Sequence, residues 1–130
     1  MKRTTSGFTL VEIMIVVLII ALLASIAIPN LLRARLTAHD ASAQAALKAI
    51  STAMETYLSL NTSYPADTNT LLSASPPYLQ VDYFTGTHSG FTFTVDSLST
   101  RIYSITATPA SASLGSRSFT ISTGAVLTAN

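Results

Sequence analysis

The stretch Gly7-Phe8-Thr9-Leu10-Val11-Glu12, followed without interruption by IMIVVLIIALLASIAI and Pro29, decides how the rest of the chain is read. From Ile13 to Ile28 every residue is apolar except Ser25. As a helix, Phe8 to Ile28 would reach about 31 Å at about 1.5 Å per residue, close to the hydrocarbon thickness of about 30 Å. The segment is therefore expected to span a bilayer. Before it, Met1 to Gly7 is short, polar and basic, with Lys2 and Arg3. Lys2 and Arg3 on one side nearly balance Arg33 and Arg35 on the other, so flanking charge gives little orientation. The polar remainder must be exported, which places the N-terminus in the cytoplasm.

Glu12 is the anomaly in this segment. A carboxylate near the edge of a spanning helix costs about 1 to 3 kcal/mol on insertion scales. It could be an interfacial residue that snorkels or stays protonated. Alternatively it awaits a partner. A cut after Gly7 would free an α-amine on Phe8, about one helical turn from Glu12 in the same chain and open to direct pairing with Glu12 of a staggered neighbour. A buried pair of that kind sets register more than it adds stability.

Gly7-Phe8-Thr9-Leu10-Val11-Glu12, with the apolar run ending in Ile28-Pro29, resembles the prepilin signature of type IV pilins and type II secretion pseudopilins. The resemblance continues along the helix to Tyr64-Pro65 and beyond that rests on strand layout. It implies that prepilin peptidase cuts after Gly7 and methylates Phe8, and that Phe8 and Glu12 serve subunit assembly. It implies partners too: copies of the chain in a helical filament, the inner membrane, and a pilus or secretion assembly platform. A competing reading takes Ser25-Ile26-Ala27 as a secretory small-x-small site cut after Ala27. Glu12 within the apolar run, and a helical pattern that runs past that cut, weigh against it.

Pro29 lacks an amide hydrogen and is expected to kink or locally open the helix. Filament assembly in the family unwinds the segment before this proline. Related chains often carry a glycine where Ala21 stands, so unwinding here is expected to be shorter, or confined to Ser25 through Pro29. Beyond it, Leu36, Ala43, Leu47, Ile50, Met54 and Tyr57 form an apolar stripe, with Gln44, Lys48, Ser51 and Glu55 read as the opposite, polar face. Asn61 to Pro65 ends the helix. Residues 61 to 90 read as loop, with a helical turn around Thr70 to Ser73. Period-two alternation at Phe91 to Val95, Ile102 to Ile105 and Phe119 to Ile121 predicts an antiparallel meander packed on the helix. Its expected core is Phe91, Phe93, Ile102, Ile105, Phe119 and Ile121.

The fold class is thus α+β: a long N-terminal helix, membrane-spanning then amphipathic, packed on a small C-terminal antiparallel sheet. The expected organisation is a leader at 1–7, a transmembrane or filament-core helix at 8–28, an amphipathic helix at 29–63, and a loop and sheet head at 64–130. Residues 29–130 form one globular domain.

Seven Lys plus Arg against six Asp plus Glu leave a net charge of +1, so no nucleic-acid partner is expected. With no cysteine, disulfides and thiolate sites are excluded. His39 and His88 have no second ligand at metal spacing and are read as solvated. Ser111 to Asn130 contains no Asp or Glu, which argues against the calcium site that some pseudopilins carry there. Asn61-Thr62-Ser63 fits a glycosylation sequon, a match frequent by chance in a Ser/Thr-rich chain. No nucleophile elbow or phosphate loop is present. No catalytic, metal or cofactor residue is assigned, and the chain is expected to be a structural subunit: a major pilin, a secretion pseudopilin, or a minor pilin acting in adhesion or DNA uptake.

Overall fold

The computed structural model describes residues 7–130. The basic residues Lys2 and Arg3, and the leader up to Ser6, lie outside the described residues. Helix α1 covers Leu10–Asn61, a short α2 covers Asn69–Ser73, and four strands follow: β1 Phe91–Leu98, β2 Tyr103–Pro109, β3 Phe119–Ser122 and β4 Val126–Ala129. The chain divides into two compact units, Met1–Ala34 and Arg35–Asn130. The fold is α+β.

In the first unit α1 runs through Pro29 without a break in its helical assignment. Its side chains face outward: Leu18, Leu22, Leu23 and Ile26 are among many large apolar residues left exposed. Helix α1 is long and apolar enough to cross a membrane, and its apolar window buries nothing within the described residues. The Ser25 hydroxyl donates to the Leu22 carbonyl at 2.8 Å, so the one polar side chain in the run is satisfied inside the helix.

In the second unit the strands form one antiparallel meander in the order β1-β2-β3-β4. Ala43, Leu47, Ile50 and Met54 of α1 are buried with Phe91, Phe93, Ile105, Phe119 and Ile121 of the sheet, as the two periodicities require. The solvent face carries threonines in register across all four strands, Thr94-Thr106-Thr120-Thr128, with Thr106 and Thr120 hydroxyls 2.8 Å apart. Such cross-strand hydroxyl pairs stabilise a sheet by about 0.2 to 1 kcal/mol each. Two glycines permit close approach of the loops. Gly90, at φ 82°, lies where a Cβ would meet Leu114, and a Cβ on Gly115 would strike the Phe91 ring and Pro109.

Three expectations are corrected. Ile102 is 56% exposed, and Tyr103 takes the core place instead. Residues 102 and 105 are an odd number apart and cannot share a face in a period-two strand, whereas Tyr103, Ile105 and Ala107 do. Ser51 is buried rather than polar-face. It follows Ile50 by about 100° of helix rotation, which leaves it under the sheet rather than opposite it. Strand β4 was not expected, because four residues beyond Gly124 give almost no alternation to read; its turn uses positive φ at Gly124 and Ala125. The segment 61–90 is loop apart from α2, as read, but it is packed: Tyr64, Leu71 and Leu79 are buried, and the Leu71 carbonyl accepts from the Tyr78 and Leu79 amides. The helical turn near Thr70 to Ser73 is present as α2.

Candidate assembly site

Gly7 and Phe8 precede the helix, and among the described residues a Cβ on Gly7 would meet open space, while Phe8 is 86% exposed. Helix α1 starts two residues later because Thr9 and Glu12 cap it reciprocally. The Glu12 amide donates to Thr9 Oγ1 at 3.2 Å, while the Thr9 amide and hydroxyl donate to Glu12 Oε2 at 2.8 and 2.9 Å. This is a capping box, and it satisfies two main-chain donors that would otherwise be unpaired at the helix start. Both Thr9 bonds fall on Oε2. The T-x-x-E spacing of Thr9 and Glu12 carries the signal for this cap in the sequence.

A second constellation lies in the Arg35–Asn130 unit. Glu55, expected on a solvated face, is half-buried, and its Oε1 accepts from the Tyr64 hydroxyl (2.9 Å), the Gly124 amide (3.2 Å) and the Tyr103 hydroxyl (3.4 Å). With the Tyr103 proton directed at Glu55, the Ser51 hydroxyl donates to Tyr103 at 2.9 Å. Tyr64 and Tyr103 meet edge to face with centroids 5.0 Å apart. Burial, then the adjoining Glu55 carboxylate, pushes the Tyr64 phenol up to about 12. Burial raises Tyr103 as well. One carboxylate thus ties α1 to the loop after it, to β2 and to the β3–β4 turn. Nothing in the spacing of residues 55, 64, 103 and 124 announces this.

Neither histidine is a free solvated side chain. His39 Nδ1 lies 2.8 Å from the Ser89 carbonyl, and half-buried His88 packs edge-on to Tyr83 at 5.4 Å, its enclosed Nε2 without a hydrogen-bond partner among the described residues. Among the described residues no group of three His, Asp or Glu could hold a metal. Asp40 accepts from the Ser116 amide and hydroxyl, at 3.1 and 2.5 Å, and anchors the β2–β3 connection to α1.

Comparison with known proteins agrees with this architecture. Residues 32–120 match the family described as "Type IV minor pilin ComP, DNA uptake sequence receptor", and residues 2–28 match "Prokaryotic N-terminal methylation motif". The chain belongs to this type IV pilin family. It is 44% identical over 71 residues to the type IV wide pilus major component PilA4 of Thermus thermophilus, covering 55% of this chain and 54% of that one. It is 39% identical over 64 residues to type II secretion system core protein G of Aeromonas hydrophila, covering 49% and 45%. Against the type IV major pilin protein PilA of Myxococcus xanthus it is 45% identical over 58 residues, covering 45% and 26%. The chain spans about half the length of the first two curated relatives and about a quarter of the third. Both pilins and pseudopilins therefore stand among its relatives, and the chain is of their structural, pilin type.

Proposed function

We propose that this chain is the structural subunit of a type IV pilus-like filament, held in the inner membrane by residues 8–28 until it polymerises. Prepilin peptidase removes residues 1–7 at the Gly7–Phe8 bond and methylates Phe8. The Phe8 amine of one subunit then meets Glu12 of its neighbour, and Pro29 supplies the kink or local opening that fits the helix to the filament. Residues 29–63 and 64–130 together form the globular head. The observation that carries this reading is a fully outward-facing apolar helix with one carboxylate at its head. Such a surface is stable only in lipid or against other helices, and a lone intramembrane carboxylate there calls for a partner. Deleting the chain and imaging the cell surface tests the reading: long filaments should vanish.

A second reading, a major pseudopilin, is favoured by repeated likeness to type II secretion core protein G from several bacteria. In that case the deletion abolishes secretion and leaves long surface filaments unchanged. The matched family's description names a DNA uptake sequence receptor. Against a DNA-binding head, residues 29–130 hold five basic side chains (Arg33, Arg35, Lys48, Arg101, Arg117) and five acidic ones (Asp40, Glu55, Asp67, Asp82, Asp96), a balance of 5 − 5 = 0. Phosphate contacts dominate affinity for DNA, and this head offers few.

A further inference from the structure

The sheet of the head ends in an unguarded strand. Among the described residues β4 pairs with β3 on one side only, and Val126–Ala129 contains no charge, proline or bulge to deter a further strand. The opposite edge is guarded, since β1 carries a register shift between Val95 and Ser97 and the exposed Asp96 at that shift. Beside β4, between the strand and residues 37–44 of α1, lies an open cleft of about 490 Å³. Phe119 and Leu127 give it an apolar side, Gln44 and the Asp40 carboxylate, already bonded to Ser116, a polar one, and Arg117 stands at it, exposed and without a hydrogen bond or ion pair among the described residues. An open edge with a side-chain cleft beside it is the arrangement used for adding an extended segment as a new strand.

The same chain carries a segment of matching chemistry. In Gln80–Tyr83 no main-chain N–H or C=O makes a hydrogen bond among the described residues, and Gln80, Val81 and Asp82 are exposed, so these groups are open to an incoming edge. Val81 is 45% exposed there, and Asp82 beside it is exposed. Asp82 accepts from the Thr85 hydroxyl at 2.6 Å and the Phe84 amide at 2.9 Å. These bonds, the hydroxyl first, hold its carboxyl below the usual range, so it stays ionised. An unpaired backbone, an exposed valine and an anion on one copy complement an unpaired edge, the Phe119 and Leu127 side of the cleft and an unpartnered cation on another.

We propose that residues 80–82 of a second copy dock along β4, with Val81 in the cleft beside Phe119 and Leu127, and Asp82, on the opposite face of the added strand, met around the edge by the long, exposed Arg117 side chain. The contact is heterologous, joining different surfaces of the two copies, so it propagates along a polymer instead of closing a dimer. It rests on the self-assembly proposed above and gives that assembly a specific contact between heads.

The chain has no cysteine, which makes cross-linking unambiguous. Val81→Cys/Ala129→Cys filaments, oxidised after shearing and run without reductant, should give a ladder of covalent oligomers, and each single variant none. Charge exchange is the independent arm: Arg117→Asp should cut filament yield several-fold, and Arg117→Asp/Asp82→Arg should restore it. Normal filaments with no ladder and no response to Arg117→Asp would overturn the head contact while leaving the filament reading intact. Absence of filaments from the unaltered chain would instead remove the filament reading itself.

Discussion

The Thr9 amide and the Thr9 hydroxyl converge on the same oxygen of Glu12, at 2.8 and 2.9 Å. The residue that looked like an isolated charge in an apolar helix is thus held in a fixed place at the helix head. That arrangement changes how Glu12 must be tested. Glutamine at the same position keeps a carbonyl oxygen able to complete the capping box, so Glu12→Gln removes the charge and spares the cap, whereas Glu12→Ala removes both.

The exposed, non-helical Gly7–Phe8 junction leads to the first prediction. The mature chain should begin at Phe8 and carry a methyl group on its amine. Intact mass of filament protein decides this: retention of Met1 to Gly7, or a start at or beyond Ser25, contradicts it.

Tyr64 should matter although it follows the helix in a loop. Tyr64→Phe removes the hydroxyl that donates to Glu55 and is expected to cost about 1 to 2 kcal/mol. It should also change the alkaline limb of stability. An unfolded tyrosine releases its proton near pH 10, whereas folded Tyr64 keeps it to about 12. Its contribution is full below about pH 10 and is lost as pH rises toward 12. Denaturant melts of the detergent-solubilised chain between pH 8 and 12 should show a shallower decline for Tyr64→Phe, with a remaining part from Tyr103.

Core truncation and surface truncation should separate sharply within the sheet. Phe119→Ala is expected to cost about 3 to 5 kcal/mol, and Ile102→Ala about 0.5 kcal/mol or less. Equal losses in the same melts would mean that Ile102 packs inward and that the strand register is wrong.

How much of this was legible follows from which signals are local. The helix was plain because Ile13 to Ile28 and the stripe at Ala43, Leu47, Ile50 and Met54 repeat over many turns. β1 and β3 were plain because Phe91-Phe93 and Phe119-Ile121 alternate cleanly. β2 was found with its face misjudged, since Ile102 outranks Tyr103 in hydrophobicity but not in register. β4 stayed hidden because pairing to β3, not its own pattern, makes it a strand. At the candidate site the Glu12 anomaly and the Gly7–Phe8 junction were both readable from neighbouring residues. The Glu55–Tyr64–Tyr103 cluster was not, because tertiary folding alone brings residues 48 positions apart onto one carboxylate.

The central claim is that Glu12 exists to neutralise the Phe8 amine of a neighbouring subunit. Removing its charge should leave membrane insertion intact or improve it by about 1 to 3 kcal/mol. Assembly should fall, because an amine buried without a counter-charge costs about 3 to 5 kcal/mol per contact, raising the critical subunit concentration about a hundredfold or more. The most direct measurement is the yield of sheared filaments from a Glu12→Gln strain, set against its membrane-fraction content of the same chain. Pairing predicts normal membrane content with filaments nearly absent; filaments at normal yield would leave Glu12 with a capping role alone.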